Sequence, residues 1–386
     1  MEDYITKFLG LKGVLVNSYE ECGEEIRIGI ETEAKYPICP ECGVRVKRIH
    51  DYRVQDIRDV PYRNKVVHLL LKKRRYRCEC GKRFYEKYSF LPRYHHLTQR
   101  VYENILKELD SPVTFKSVAK RYGISTNTVT RICDLLEYNL HRLPEVLAID
   151  EFKGNAGNEK YQGILTNPSN QRLLDILKTR EKSYLVEYVR QYKRDNVKLF
   201  IMDMWEPYKN IAETYFPNAM IVIDKYHYVR QVYWAMNFVR KRIQNTLNNE
   251  ERLYFKRHRY ILDKMEHALS PYQKQCLERM LGHSEDLYNA WQLKEIFYEF
   301  RKEQDPNKAA KILRIFIETA KDIGLPEFQP AITAFTNWFE YIINSKRTPY
   351  TNAYTEGTNN KIKVLKRIGY GYRNYERFRK RILHLA

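Results

Sequence analysis

The chain has 386 residues, with 68 Lys plus Arg against 48 Asp plus Glu and a formal net charge of +20. That excess points to a polyanionic partner, nucleic acid before an anionic membrane, because no apolar run approaches the roughly 18 residues of a spanning helix and Met-Glu-Asp-Tyr is no signal-peptide start. An intracellular, cytoplasmic protein of about two to four domains is expected, and seven cysteines are too few for a disulfide scaffold.

Residues 1–35 alternate weakly, with Val14 and Val16, then Ile26, Ile28 and Ile30, which predicts one or two strands. Cys39-Pro-Glu-Cys42-Gly and Cys78-Glu-Cys80-Gly follow as two thiolate turns. Four thiolates in a reducing compartment suit one tetrahedral, structural Zn²⁺ held by Cys39, Cys42, Cys78 and Cys80. Cys22, Cys133 and Cys276 stand alone and read as small buried hydrophobes. Residues 61–100 hold twelve Lys or Arg against two Glu, and Lys72, Arg74 and Arg75 at the end of an apolar run are candidate phosphate contacts.

From Thr98 the period becomes helical. Phe115 to Ile132 then has the layout of a helix-turn-helix: small Ala119 where helices approach, Gly123 at the turn, Ile124, Val129 and Ile132 burying the second helix. Ser125 would cap that helix, and Ser125, Thr126, Asn127, Thr128 and Arg131 would face DNA.

Leu147-Ala-Ile-Asp150 is a buried strand that ends on a carboxylate, and Leu199-Phe-Ile-Met-Asp203 repeats the construction. Runs at Tyr161–Thr166 and Arg172–Leu177, a helix from about Glu181 to Tyr192, and Met220-Ile-Val-Ile-Asp224 complete an order of three strands, helix, strand, helix, strand, helix. That order predicts a ribonuclease H-like sheet in which Asp150 and Asp203 become neighbours. Helical pattern then runs almost to Lys346 with few strand signals, an all-helical insertion, before Glu356 in a polar helical stretch. From Asn360 onward nine Lys or Arg face one Glu, and Lys361, Lys363, Lys366, Arg367 and Arg373 are candidate DNA contacts.

Carboxylates gathered inside so basic a chain imply divalent metal. Two Mg²⁺ (or Mn²⁺) ions would be bridged by Asp150, with Asp203 on one and Glu356 on the other, to cut a phosphodiester. Strand alternation lets only one of Asp150 and Glu151 join the cluster. Asp224 is a rival acid, and His227, one turn into the next helix, is a catalytic candidate that could equally be structural.

Taken together, the two cysteine turns, the helix-turn-helix, Ala148-Ile-Asp150-Glu, Ile201-Met-Asp203-Met, Asp224-Lys-Tyr-His227 and Glu356-Gly-Thr-Asn-Asn-Lys-Ile-Lys-Val-Leu-Lys-Arg resemble the ISL-three family of bacterial insertion-sequence transposases. The resemblance implies that Asp150, Asp203 and Glu356 are a DDE triad, that the substrate is double-stranded DNA carrying terminal inverted repeats and a target, and that the protein is a nucleoid-associated homodimer. A DNA-binding regulator with an inactive nuclease-like domain is the alternative. The expected fold is multidomain α/β: a zinc-ribbon-like module (1–92), a helix-turn-helix domain (93–143), a ribonuclease H-like mixed sheet (144–227) interrupted by the helical insertion (228–348), and a last acidic helix with a basic tail (349–386).

Overall fold

The computed structural model describes residues 6, 9–33 and 35–386. The chain forms two units, Met1–Tyr138 with Ile362–Ala386, and Asn139–Lys361.

The first unit begins with β1 (Val14–Cys22), β2 (Glu25–Thr32), β3 (Ile49–Tyr62), β4 (Lys65–Arg77) and β5 (Arg83–Tyr85), in the order β1-β2-β4-β3 with β5 on β4. Val14, Val16, Ile26, Ile28, Ile30, Val67, Leu69 and Leu71 are all buried in one core, the period of two that a one-sided sheet requires. Strand β3 was not expected. Its 14 residues are mostly charged or polar, and the turn into β4 is made by Arg63 and Asn64, both at positive φ, without the glycine that usually announces such a hairpin.

Three helices follow, α1 (Gln99–Leu109), α2 (Phe115–Tyr122) and α3 (Thr126–Asp134), around Val101, Ile105, Val118, Ala119, Val129 and Ile132. The Ser125 hydroxyl accepts from the Thr128 N–H at 3.1 Å, which caps α3 as the sequence suggested. The final helix, Tyr375–Leu385, packs on this bundle, not on the acid-bearing sheet with which the sequence order had grouped 349–386. Arg381 is fully buried there and donates to the carbonyls of Leu109, Ser111 and Val113, while Arg377 pairs with Asp134 at 2.9 Å.

The second unit is built on β6 (Val146–Phe152), β7 (Gln162–Asn167), β8 (Arg172–Leu177), β9 (Leu199–Met202) and β10 (Met220–Ile223). Their order, β10-β9-β6-β7-β8, has β6, β7 and β8 antiparallel and β6, β9 and β10 parallel, which is the expected ribonuclease H-like mixed sheet. Helices α4 (Lys182–Arg190) and α5 (Glu206–Tyr215) make the crossovers.

Both faces of this sheet are covered, so its central strands are apolar throughout. Leu147, Ile149, Phe200 and Met202 enter the large core; Ala148, Leu199, Ile201 and Val222 form a second cluster on the other face. The helical insertion comprises α6 (Lys225–Thr246), α7 (Asn249–Leu262), α8 (Pro271–Leu281), α9 (Glu285–Lys302), α10 (Pro306–Ile323), α11 (Gln329–Asn337) and α12 (Phe339–Asn344). It shares the large core with the sheet, through Val232, Phe297, Phe316 and Phe335 among others. The Phe297 and Phe335 rings stack with centroids 5.5 Å apart. The insertion is therefore part of the second unit's packing. Helix α13 (Ala353–Ile368) carries Glu356.

Candidate active site

Asp150 lies near the end of β6 and Asp203 just past β9; because β6 and β9 are parallel neighbours, their carboxylates meet at one sheet edge. Asp224, following β10, caps α6, and the first turn of α6 brings His227 to the same place. Ligand atoms of Asp150, Asp203 and His227 all lie within 4.8 Å of one another. Both Asp150 oxygens have a donor: Glu151 N–H to Oδ1 at 2.7 Å and the Asn359 side-chain amide to Oδ2 at 2.9 Å. His227 Nε2 stands 2.8 Å from Asp203 Oδ1, close enough for attraction but misaligned, so this buried oxygen has no hydrogen bond. A buried carboxylate oxygen without a donor fits a cation-binding role.

The electrostatics agree. Burial first, and then the charge of Asp203, push the Asp150 carboxyl up to about 7. Burial also raises Asp224, partly offset by the Asn352 N–H at 3.1 Å and the Tyr226 N–H at 3.2 Å. Asp224 is a helix cap and does not belong to the ligand cluster. Glu151 turns away to Arg180, at 2.6 and 2.8 Å, as strand alternation required. Together Glu151, Arg180, Asp203, Tyr208, His227 and Arg230 line a pocket beside the acids.

Glu356 is the expected ligand that the structure does not draw into the cluster. Its carboxylate is exposed near the start of α13, one turn before Asn359. Positions three apart share a helix side, so Glu356 and the residue bonded to Asp150 face the same way. Ile362 and Leu365, farther along α13, are buried and fall within the first unit's limits. The sheet contact is made by buried Thr355, whose hydroxyl meets that of Thr166 at 2.7 Å, and by Asn359. Sequence reasoning passed over Asn359 because an uncharged amide in a polar helix gives no signal of its own.

The four cysteine sulfurs of the first unit also lie within 4.8 Å of one another, with Cys39–Cys80 at 3.7 Å and Cys42–Cys78 at 3.4 Å. Tetrahedral zinc with bonds of about 2.3 Å needs edges of about 3.8 Å, so the set fits. Although burial opposes it, backbone N–H groups of Cys42 and Glu41 aimed at Cys39 bring that thiol down to about 7. Of the lone cysteines, Cys133 and Cys276 are buried as expected, whereas Cys22 is exposed on an edge strand.

The candidate DNA contacts divide. Ser125, Thr126, Asn127 and Arg131 are exposed on the outer side of α3, and Thr128 is half-buried. Lys361, Lys363, Arg367 and Arg373 are exposed and Lys366 half-buried. In the sheet, Arg74 is 7% exposed and lies between Glu31 at 3.4 Å and Glu86 at 3.5 Å, so it is a structural cation and no phosphate contact. Lys72 pairs with Glu31 at 3.6 Å and Arg75 with Asp51 at 3.5 Å. The charge count of that segment could not show that its neighbouring strands supply matching acids.

Residues 147–382 match the ISL3 DDE family, described as transposase. The chain belongs to the ISL-three (ISL3) family of transposases. Residues 35–80 of this transposase match the zinc-finger of transposase IS204/IS1001/IS1096/IS1165, and residues 86–136 match the helix-turn-helix domain of transposase family ISL3. It is therefore an enzyme that acts on DNA and binds it. The transposase for insertion sequence element IS1001 of Bordetella parapertussis is 26% identical over 375 residues, 93% of this chain and 91% of its own length. A protein of Lactococcus lactis subsp. lactis described as an ATP-dependent protease is 26% identical over 272 residues, 69% of this chain and 80% of its own. The present sequence has no Gly-x-x-x-x-Gly-Lys-Ser/Thr stretch of the kind that cradles ATP phosphates. Among the described residues no helix is long and apolar enough to cross a membrane.

Proposed function

We propose that this transposase recognises the terminal inverted repeats of an insertion sequence as a homodimer and cuts and joins DNA strands at Asp150, Asp203 and Glu356. The observation that carries the reading is the convergence of Asp150, Asp203 and His227 within 4.8 Å at one sheet edge, with Asn359 fixing Asp150 one turn after Glu356. Two Mg²⁺ or Mn²⁺ ions bound there would activate the attacking oxygen and stabilise the leaving one. Asp150, Asp203 and Glu356 would hold those ions, with Glu356 presented from an exposed position on α13. The Asn359 amide and Glu151 N–H leave lone pairs free on both Asp150 oxygens. His227 Nε2 is placed to carry a proton near Asp203, for the departing oxygen. Zinc on Cys39, Cys42, Cys78 and Cys80 clamps the first unit, and α3 with Thr126, Asn127 and Arg131 reads base edges.

The test is incubation with end-containing duplex and Mg²⁺. Strand cleavage that disappears in Asp150→Ala and Glu356→Ala while end binding persists supports the reading. End binding by the parent protein with no cleavage at all would instead make it a DNA-binding regulator.

A further inference from the structure

Helix α6 starts at the Asp224 cap, delivers His227 to the acids in its first turn, and buries Tyr228, Val232, Met236 and Val239 on one side. Along its other side every fourth residue is Tyr226, Arg230, Trp234 and Phe238. The three rings are 56%, 50% and 54% exposed. Each step of four advances about 6 Å, so the row extends about 18 Å from the catalytic end of the helix. Three large aromatics left in water on one line forgo burial that folding ordinarily uses, which marks an interaction surface.

Cations are interleaved with the rings. The Arg230 guanidinium sits 5.6 Å from the Tyr226 ring and 4.9 Å from that of Trp234, and Lys241 lies 5.7 Å from Phe238. Arg230 Nε is buried without an acceptor, and Arg230 lines the same pocket as Asp203 and His227. Neither Trp234 nor Phe238 meets another aromatic ring among the described residues, and with half of each side chain exposed the ring surface not covered by Arg230 or Lys241 is open to solvent. The whole 22-residue helix carries five Lys or Arg and no Asp or Glu, and of these Arg242 is paired with Asp286 at 2.8 Å and Glu327 at 2.6 Å. Flat rings alternating with the Arg230 and Lys241 cations complement one chemistry, a phosphate backbone bearing unstacked bases.

We infer that Tyr226, Arg230, Trp234 and Phe238 form a stacking track for an unpaired DNA strand running from the metal-binding acids. The inference rests on strand cleavage occurring at those acids. Bases within a duplex are stacked on one another and show only their edges, so the track selects strand that has come apart near the cut.

The experiment measures binding of the full-length protein, by anisotropy, to a labelled oligo-dT of about 12 nucleotides and to a blunt duplex of the same length. Trp234→Ala combined with Phe238→Ala should weaken oligo-dT binding by about tenfold or more, a larger factor than for the duplex, and Trp234→Phe should restore most of it. The single alanine variants serve if the double variant does not fold by circular dichroism. Unchanged oligo-dT affinity overturns the track. So does a change in solution mass by light scattering at unchanged affinity, since the rings would then pack a second protein copy. A parent protein that binds oligo-dT through the rings but fails to cut end-containing DNA overturns the catalytic reading and not the track. One that cuts while all variants bind alike overturns the track alone.

Discussion

Asp150 has a carboxyl moved from 3.8 to about 7, chiefly by burial and then by the charge of Asp203. A folded-state value above the unfolded one means the native protein holds the extra proton between those limits. The associated stability is complete below about pH 4 and is lost as pH rises through about 7. Asp150→Asn removes the charge and nearly keeps the shape. In metal-free buffer the variant should melt with the parent near pH 4 and be more stable above pH 7, by roughly 2–4 kcal/mol. Mg²⁺ should then raise the melting temperature of the parent only. Equal melting of the two proteins at pH 8 would remove the electrostatic argument for a metal site. Arg74 and Arg131, identical in sequence-level charge, should also separate. Arg74→Ala removes the cation between Glu31 and Glu86, leaving Glu31 with only Lys72 and Glu86 with only neutral donors, and should cost about 3 kcal/mol by thermal melting. Arg131→Ala, on an exposed helix face, should leave melting within about 0.5 kcal/mol and weaken binding to end DNA.

At the scale of elements, the turn of the helix-turn-helix is set by Gly123, at φ +62°, where an added Cβ would also lie 2.7 Å from Val66 Cγ1. Gly123→Ala therefore meets both backbone strain and a collision with β4. A loss of about 2 kcal/mol and weaker end binding are expected, measured by chemical denaturation and anisotropy. This motif was legible because its signals are local: Ala119, Gly123 and Ser125 act on residues a few positions away. The acid-bearing strands were legible for the same reason, since an apolar run ending on Asp fixes a strand and its terminus together. The docking of Tyr375–Leu385 was not. Arg377 and Arg381 belong to a basic tail that reads as a phosphate-binding surface, yet one pairs with Asp134 and the other is sealed against three carbonyls. Residue type alone does not distinguish a guanidinium that meets phosphate from one that satisfies backbone oxygens. Arg381→Ala would strand those carbonyls, and a cost of about 3 kcal/mol with reduced end binding is expected.

For the molecule as a whole, each unit has its own source of cohesion. The second has a large continuous core into which the insertion is absorbed, and the first has small cores and the cysteine cluster. Removing zinc with a chelator should therefore raise hydrogen exchange across residues 35–85 and leave the strands from Val146 to Ile223 protected. Equal loss in both regions would mean that the cysteine site stabilises more than its own unit.

The first unit is assembled from two stretches of chain, 1–138 and 362–386, with the entire second unit encoded between them. On the ribosome the acid-bearing sheet and its helices emerge before the segment containing Arg377 and Arg381. The helix-turn-helix gains its last supporting helix only after that, so the first unit is completed later in synthesis than the acid-bearing sheet.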